Sequence, residues 1–141
     1  MAAVSEKQGL ATVDLRIPRL AEWVAVARLT IAAVANRLSC SVEDIEDLKL
    51  AVAEACTSCI QQPTKNDQIA ITCEMDARQL RLIVQEHSDE RDDAPRVIET
   101  GSEGAEGELG IFLIRSLMDY VEYTIDPRTG LRIVMVKKLN Q

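Results

Sequence analysis

Ser41-Val42-Glu43-Asp44-Ile45-Glu46-Asp47-Leu48-Lys49-Leu50-Ala51-Val52-Ala53-Glu54-Ala55-Cys56-Thr57-Ser58-Cys59-Ile60-Gln61-Gln62 is the stretch on which the reading of the chain turns. Ile45, Leu48, Val52, Cys56 and Cys59 recur at spacings of three and four, the stripe that an amphipathic helix buries. Ser41 can cap the N-terminus with Asp44 three residues on, and Glu43 and Asp44 suit the positive end of the helix dipole. Pro63 stops the helix. Asp47, Ala51, Glu54, Ser58 and Gln61 fall on a different face. A carboxylate and a hydroxyl one turn apart on that face could serve as a base and a cation ligand, or could simply be solvated, which is the commoner fate of such a face.

Outward from this helix, Val13, Leu15 and Ile17 alternate with Asp14 and Arg16, a half-buried strand that stops at Pro18. A first helix is expected over residues 21–38. Ile69, Ile71, Cys73 and Met75, then Leu80, Leu82 and Val84, alternate with mostly polar neighbours and read as a hairpin. Residues 109–118 are nearly all apolar and read as a buried helix. Residues 121–125 and 131–136 flank Asp126-Pro127-Arg128-Thr129-Gly130 as a second hairpin. The order implies an α+β fold: a two-layer α/β sandwich, a mixed β-sheet with three helices on one face. Residues 1–12 are expected to be a flexible N-terminus, and 13–141 one domain carrying a mobile acidic lid loop at 87–106.

At 141 residues the chain can bury a core without disulfides or metal. Residues 86–108 hold nine acidic side chains against Arg91 and Arg96, which accounts for the whole net charge of −7. The balanced remainder supplies no basic stripe, so direct nucleic-acid binding is not expected. Nothing at the start resembles a signal peptide and no window approaches the roughly 18 apolar residues of a membrane span, so a cytoplasmic location is expected. Cys56-x-x-Cys59 raises redox chemistry, but a redox pair gains its low thiol pKa at a helix N-terminus and this pair lies deep in a helix, so packing is the reading. His87, the only histidine, has no companion at a ligand spacing for zinc.

Asp44-Ile45-Glu46-Asp47-Leu48-Lys49, Ala53-Glu54-Ala55-Cys56-Thr57, Leu109-Gly110 with Leu117-Met118-Asp119, and the closing Lys137-Lys138-Leu139-Asn140 carry a resemblance that covers nearly the whole chain. They resemble the anti-sigma-factor serine/threonine kinases, the anti-sigma B type in particular, of the GHKL (Bergerat) ATPase fold. The resemblance implies an ATP and Mg2+ pocket between helices and sheet, and as partners a sigma factor and a phosphorylatable, STAS-type antagonist; it also implies a possible homodimer through the sheet edge.

Carried over by position, Glu54 stands for the catalytic base that takes the proton from the antagonist's serine. Ser58 takes the place of a magnesium-holding asparagine, Glu86 that of an adenine-reading aspartate, and Ser88 that of a glycine beside the base. Gly107, Leu109 and Gly110 belong to the phosphate-closing segment, where Glu108 replaces a further glycine. Arg28, a charge among Val24, Ile31, Ala32 and Ala35, matches an arginine on the sigma-gripping surface; on pattern alone it lies along the surface with its stem packed. Each acidic side chain of the lid about 10 Å from a phosphate would repel it by roughly 0.4 to 1.7 kcal/mol, less once salt screens it. The expectation is an anti-sigma regulatory factor with a degenerate nucleotide site, the alternative an active ATP- and Mg2+-dependent protein serine/threonine kinase acting on the antagonist.

Overall fold

The computed structural model describes residues 2–7, 10–88 and 105–139. Strands β1 (Ala2–Lys7) and β2 (Leu10–Pro18) are followed by a 3-10 turn at Ala21–Trp23 and by helices α1 (Val24–Asn36) and α2 (Val42–Ile60). Strands β3 (Gln68–Met75) and β4 (Gln79–His87), helix α3 (Ala105–Leu117), and strands β5 (Tyr120–Asp126) and β6 (Gly130–Lys138) follow among the described residues. The six strands form one sheet in the order β1-β2-β3-β4-β6-β5. The two-layer α+β sandwich is what the periodicities imply.

Within it the sheet is antiparallel at every described pairing, where a mixed sheet was expected. Two features of the connections explain the difference. Between β2 and β3 the chain makes two helices in succession, which return it to the end of the sheet it left, so Pro18 closes β2 opposite Gln68 opening β3. After α3, strand β5 goes to the outer edge and β6 comes back between it and β4, so β4 and β5 never become parallel neighbours.

The capping box is present: Asp44 N–H donates to Ser41 Oγ at 3.0 Å and Ser41 N–H to Asp44 Oδ2 at 3.3 Å. Helix α2 then packs over β4 and β6, burying Leu48, Val52, Cys56 and Cys59 in one cluster with Leu82, Val84, Ile133 and Met135. Burying each large aliphatic side chain contributes about 1.5–3 kcal/mol, so this layer contributes substantially to the stability of the fold. Both hairpins are closed by an aspartate that accepts from its own turn: Asp76 Oδ1 from Arg78 N–H (2.7 Å), Asp126 Oδ1 from Arg128 N–H (2.7 Å).

Lys137 fastens the helical layer to the sheet. Its ammonium lies 3.2 Å from Asp47 Oδ2 and 4.0 Å from Asp44 Oδ1 on α2, and donates to the Leu117 carbonyl at the end of α3 at 2.8 Å. A cation suits that helix C-terminus. Three of the stretches that carry the resemblance therefore meet at one ammonium group.

Three other expectations change. Residues 2–7, expected to be flexible, form edge strand β1, in register with β2 from Ala2 opposite Leu15 to Lys7 opposite Leu10. Pairing to an existing strand supplies what the weak alternation of that segment does not. Helix α3 begins at Ala105, inside the span expected as lid, while residues 89–104 of that lid lie outside the described residues. Finally, α3 is amphipathic rather than wholly buried: Ile114, and Met118 just past its end, are buried, whereas Phe112, Arg115 and Ser116 face solvent.

Candidate functional site

Glu54 and Ser58, one turn apart on α2, face Gly110 of α3. A Cβ built on Gly110 would lie 3.3 Å from Ser58 Oγ and 3.6 Å from Glu54 Oε2. Ser58 is buried and Glu54 half-buried, so the face left open between solvent and chemistry by periodicity is an inward one at this point. Glycine lets the α3 backbone come this close without crowding, whereas a methyl would require the Ser58 hydroxyl to give way slightly. Gly110 is also the sixth residue of α3. In a helix that begins at Ala105, the N–H groups from Leu109 onward are taken by intrahelical bonds, so Leu109 and Gly110 do not offer free amides to a phosphate, while Gly107 lies in the first turn, whose amides have no intrahelical partner.

Glu86 stands apart from that pair. It closes the helix-facing side of β4, and its side chain has 0% exposure. Oε1 accepts from the Thr64 hydroxyl and from Asn66 Nδ2 (3.1 Å); Oε2 accepts from the Leu131 N–H (2.5 Å). Asn66 also donates to the Thr129 carbonyl at 3.2 Å, tying the β5–β6 turn into the same group. Gly130 follows at φ 90°, and a Cβ there would overlap the Glu86 carboxylate, so glycine is required twice over.

The loop holding Thr64 and Asn66 is itself held by Arg19, just beyond β2. Its Nε donates to the Cys59 carbonyl (2.9 Å), Nη1 to those of Thr64 (2.9 Å) and Asn66 (2.8 Å), and Nη2 to those of Ile60 (3.2 Å) and Gln62. All the donors of the guanidinium are used on carbonyls at the end of α2 and on the loop beyond. Nη1 also lies 3.9 Å from Glu86 Oε1, so the buried carboxylate has a cation beside it. Arg19, Thr64, Asn66, Gly130 and Leu131 were not singled out from sequence. They act through backbone carbonyls and a distant carboxylate, which leave no periodic trace; the one local signal was a charged residue following Pro18.

Of the remaining candidates, Ser88 follows β4 directly and is half-buried. Arg28 is exposed on α1 while Ile31 and Ala35 beside it are buried, which places it at a rim, far in role from the two groups above. Burial pushes the Cys56 and Cys73 thiols up to about 12 and Cys59 well above its ordinary value. A thiolate, the redox-active form, is therefore suppressed at Cys56-x-x-Cys59, and both cysteines belong to the core.

The residues fit a magnesium nucleotide poorly at the Glu86 end. Beside Gly110 the oxygens on offer are the Ser58 hydroxyl and the Glu54 carboxylate, so the rest of a magnesium shell would fall to water and phosphate. At Glu86 the carboxylate is sealed from any incoming base.

A family model described as a histidine kinase-like ATPase domain matches residues 17–137. The chain belongs to that family. Among curated relatives it is 32% identical over 141 residues to a serine-protein kinase RsbW of Bacillus licheniformis, across 92% of this chain and 86% of that protein. The serine-protein kinases RsbW of Bacillus subtilis (32% over 139 residues, 91% of this chain and 86% of that protein) and Bacillus thuringiensis (34% over 142 residues, 92% and 86%) are similar to it in the same measure. The family's fold is thus retained, while the Glu86 carboxylate is engaged by the chain's own donors.

Proposed function

We propose that this chain is an anti-sigma regulatory factor of the partner-switching kind, working in the cytoplasm: it binds a sigma factor, is countered by a STAS-type antagonist, and has a degenerate nucleotide site. The observation that carries the reading is a combination. Relatives named as serine-protein kinases run alongside 92% of the chain, yet Glu86, the residue at the adenine-reading position, has no exposed side-chain surface. Arg28, exposed on α1, is the residue assigned to sigma contact.

One observation favours a second reading, an active kinase: Glu54, in the place of the general base, keeps its carboxylate at the Ser58 and Gly110 contact. The two readings part in one pair of measurements, capture of purified sigma factors by the chain and transfer of radiolabel from ATP to a STAS-type antagonist. Sigma capture without transfer is expected. Transfer that disappears in Glu54→Ala would establish the kinase instead, and absence of sigma capture would overturn the anti-sigma reading.

A further inference from the structure

Glu86 is the only buried charged residue among the described residues. A carboxylate removed from water is tolerated only where donors replace its hydration, and a carboxylate offers about four lone-pair positions. Three are filled, by Thr64 Oγ1, Asn66 Nδ2 and the Leu131 N–H. The Gly130 backbone closes against the group, and Arg19 adds positive charge from one side.

We infer that Glu86 is a self-occupied ligand subsite: the chain's own hydroxyl, amide and backbone N–H take the places that a ligand's donors would need. The inference rests on the family reading of the pocket. It assigns to Thr64, Asn66 and Leu131 a role as internal substitutes for a ligand, and to Arg19 that of the positioning residue that holds the loop bearing the first two. The carboxylate then works as a latch. It joins the loop after α2, the end of β4 and the β5–β6 turn.

A latch shared by several groups has a signature that separate contacts lack, namely non-additivity. The test combines a urea-unfolding cycle on Glu86→Gln, Asn66→Ala and the double variant with calorimetric titration of the unmodified protein by ATP–Mg2+ and GTP–Mg2+. Each single variant should lower the unfolding midpoint, and the double variant should fall little below the worse single one. The unmodified protein should show no preference for ATP over GTP, because the Glu86 side chain has no exposed surface from which to read the adenine amino group.

Additive losses in the cycle would overturn the latch. So would an ATP preference of tenfold or more that Glu86→Gln abolishes without moving the midpoint. Should Glu86→Gln fail to fold, the cycle is run on Thr64→Ala and Asn66→Ala, which serve the same oxygen, and additive losses there overturn the latch equally. Sigma capture by the unmodified protein separates the two readings: a failed cycle with capture retained sinks the latch alone, and lost capture with a non-additive cycle sinks the anti-sigma reading alone.

Discussion

Gly110 of α3 lies directly against the Ser58 hydroxyl of α2, with 3.3 Å separating that oxygen from where a Cβ would stand. The contact fixes how closely the two helices approach over Glu54. A side chain larger than methyl has no room unless α3 moves outward. Gly110→Leu should cost about 1–3 kcal/mol, the usual penalty of overpacking, read from urea unfolding. Ser58→Ala in the same chain should recover part of the loss. Unchanged stability in Gly110→Leu would mean that α3 does not rest on α2 at this point.

Arg28 is exposed, so reversing its charge should leave the fold intact. We expect Arg28→Glu to change stability by no more than about 0.5 kcal/mol, as for surface positions generally, and to weaken sigma capture markedly. Partner binding that tolerates the reversal would remove Arg28 from the interface.

Lys137 holds two carboxylates and a helix-terminal carbonyl from a position only 13% exposed. Its loss leaves Asp47, Asp44 and the Leu117 carbonyl partly desolvated without their partner. Lys137→Met should lower stability by about 1–3 kcal/mol. Pairing it with Asp47→Asn should give less than the summed losses, because the second change removes part of the uncompensated charge.

The buried thiols give a pH dependence with a definite sign. Cys56 and Cys73 titrate near 12 in the folded chain against an ordinary value of 9.0, so the folded state retains protons that the unfolded state releases. Their contribution to stability is complete below about pH 9 and is lost as pH rises toward 12, with a slope of up to about 1.4 kcal/mol per pH unit for each thiol. Urea midpoints between pH 8 and 10.5 should fall, and fall less steeply in Cys56→Ala. A flat profile in the parent protein would show that these thiols reach solvent.

The parts legible from sequence are those written in periodicity. Alternation placed β2, β3 and β4, the turn at residues 126–130 placed β5 and β6, and the three-and-four spacing of Ile45, Leu48, Val52, Cys56 and Cys59 placed α2 with its Ser41 cap. What was not legible depends on partners distant in sequence. Strand β1 exists because β2 offers an edge to Val4 and its neighbours. The start of α3 crosses Gly107, a poor helix former, so local propensity pointed to a later start than the chain adopts. Glu54 and Ser58 were found by face and by resemblance. The Arg19 and Glu86 network joins residues 19, 64, 66, 86 and 131, and no spacing rule connects those numbers.

Helix α2 is fastened at both ends by side chains from far outside it, Arg19 at its last carbonyls and Lys137 near its first turns. Those two residues stand almost at the limits of the stretch shared with the family, 17–137. A fragment trimmed past either one would keep every residue of the central helix and lose what anchors it. The shortest piece worth expressing therefore runs from before Arg19 through Lys137.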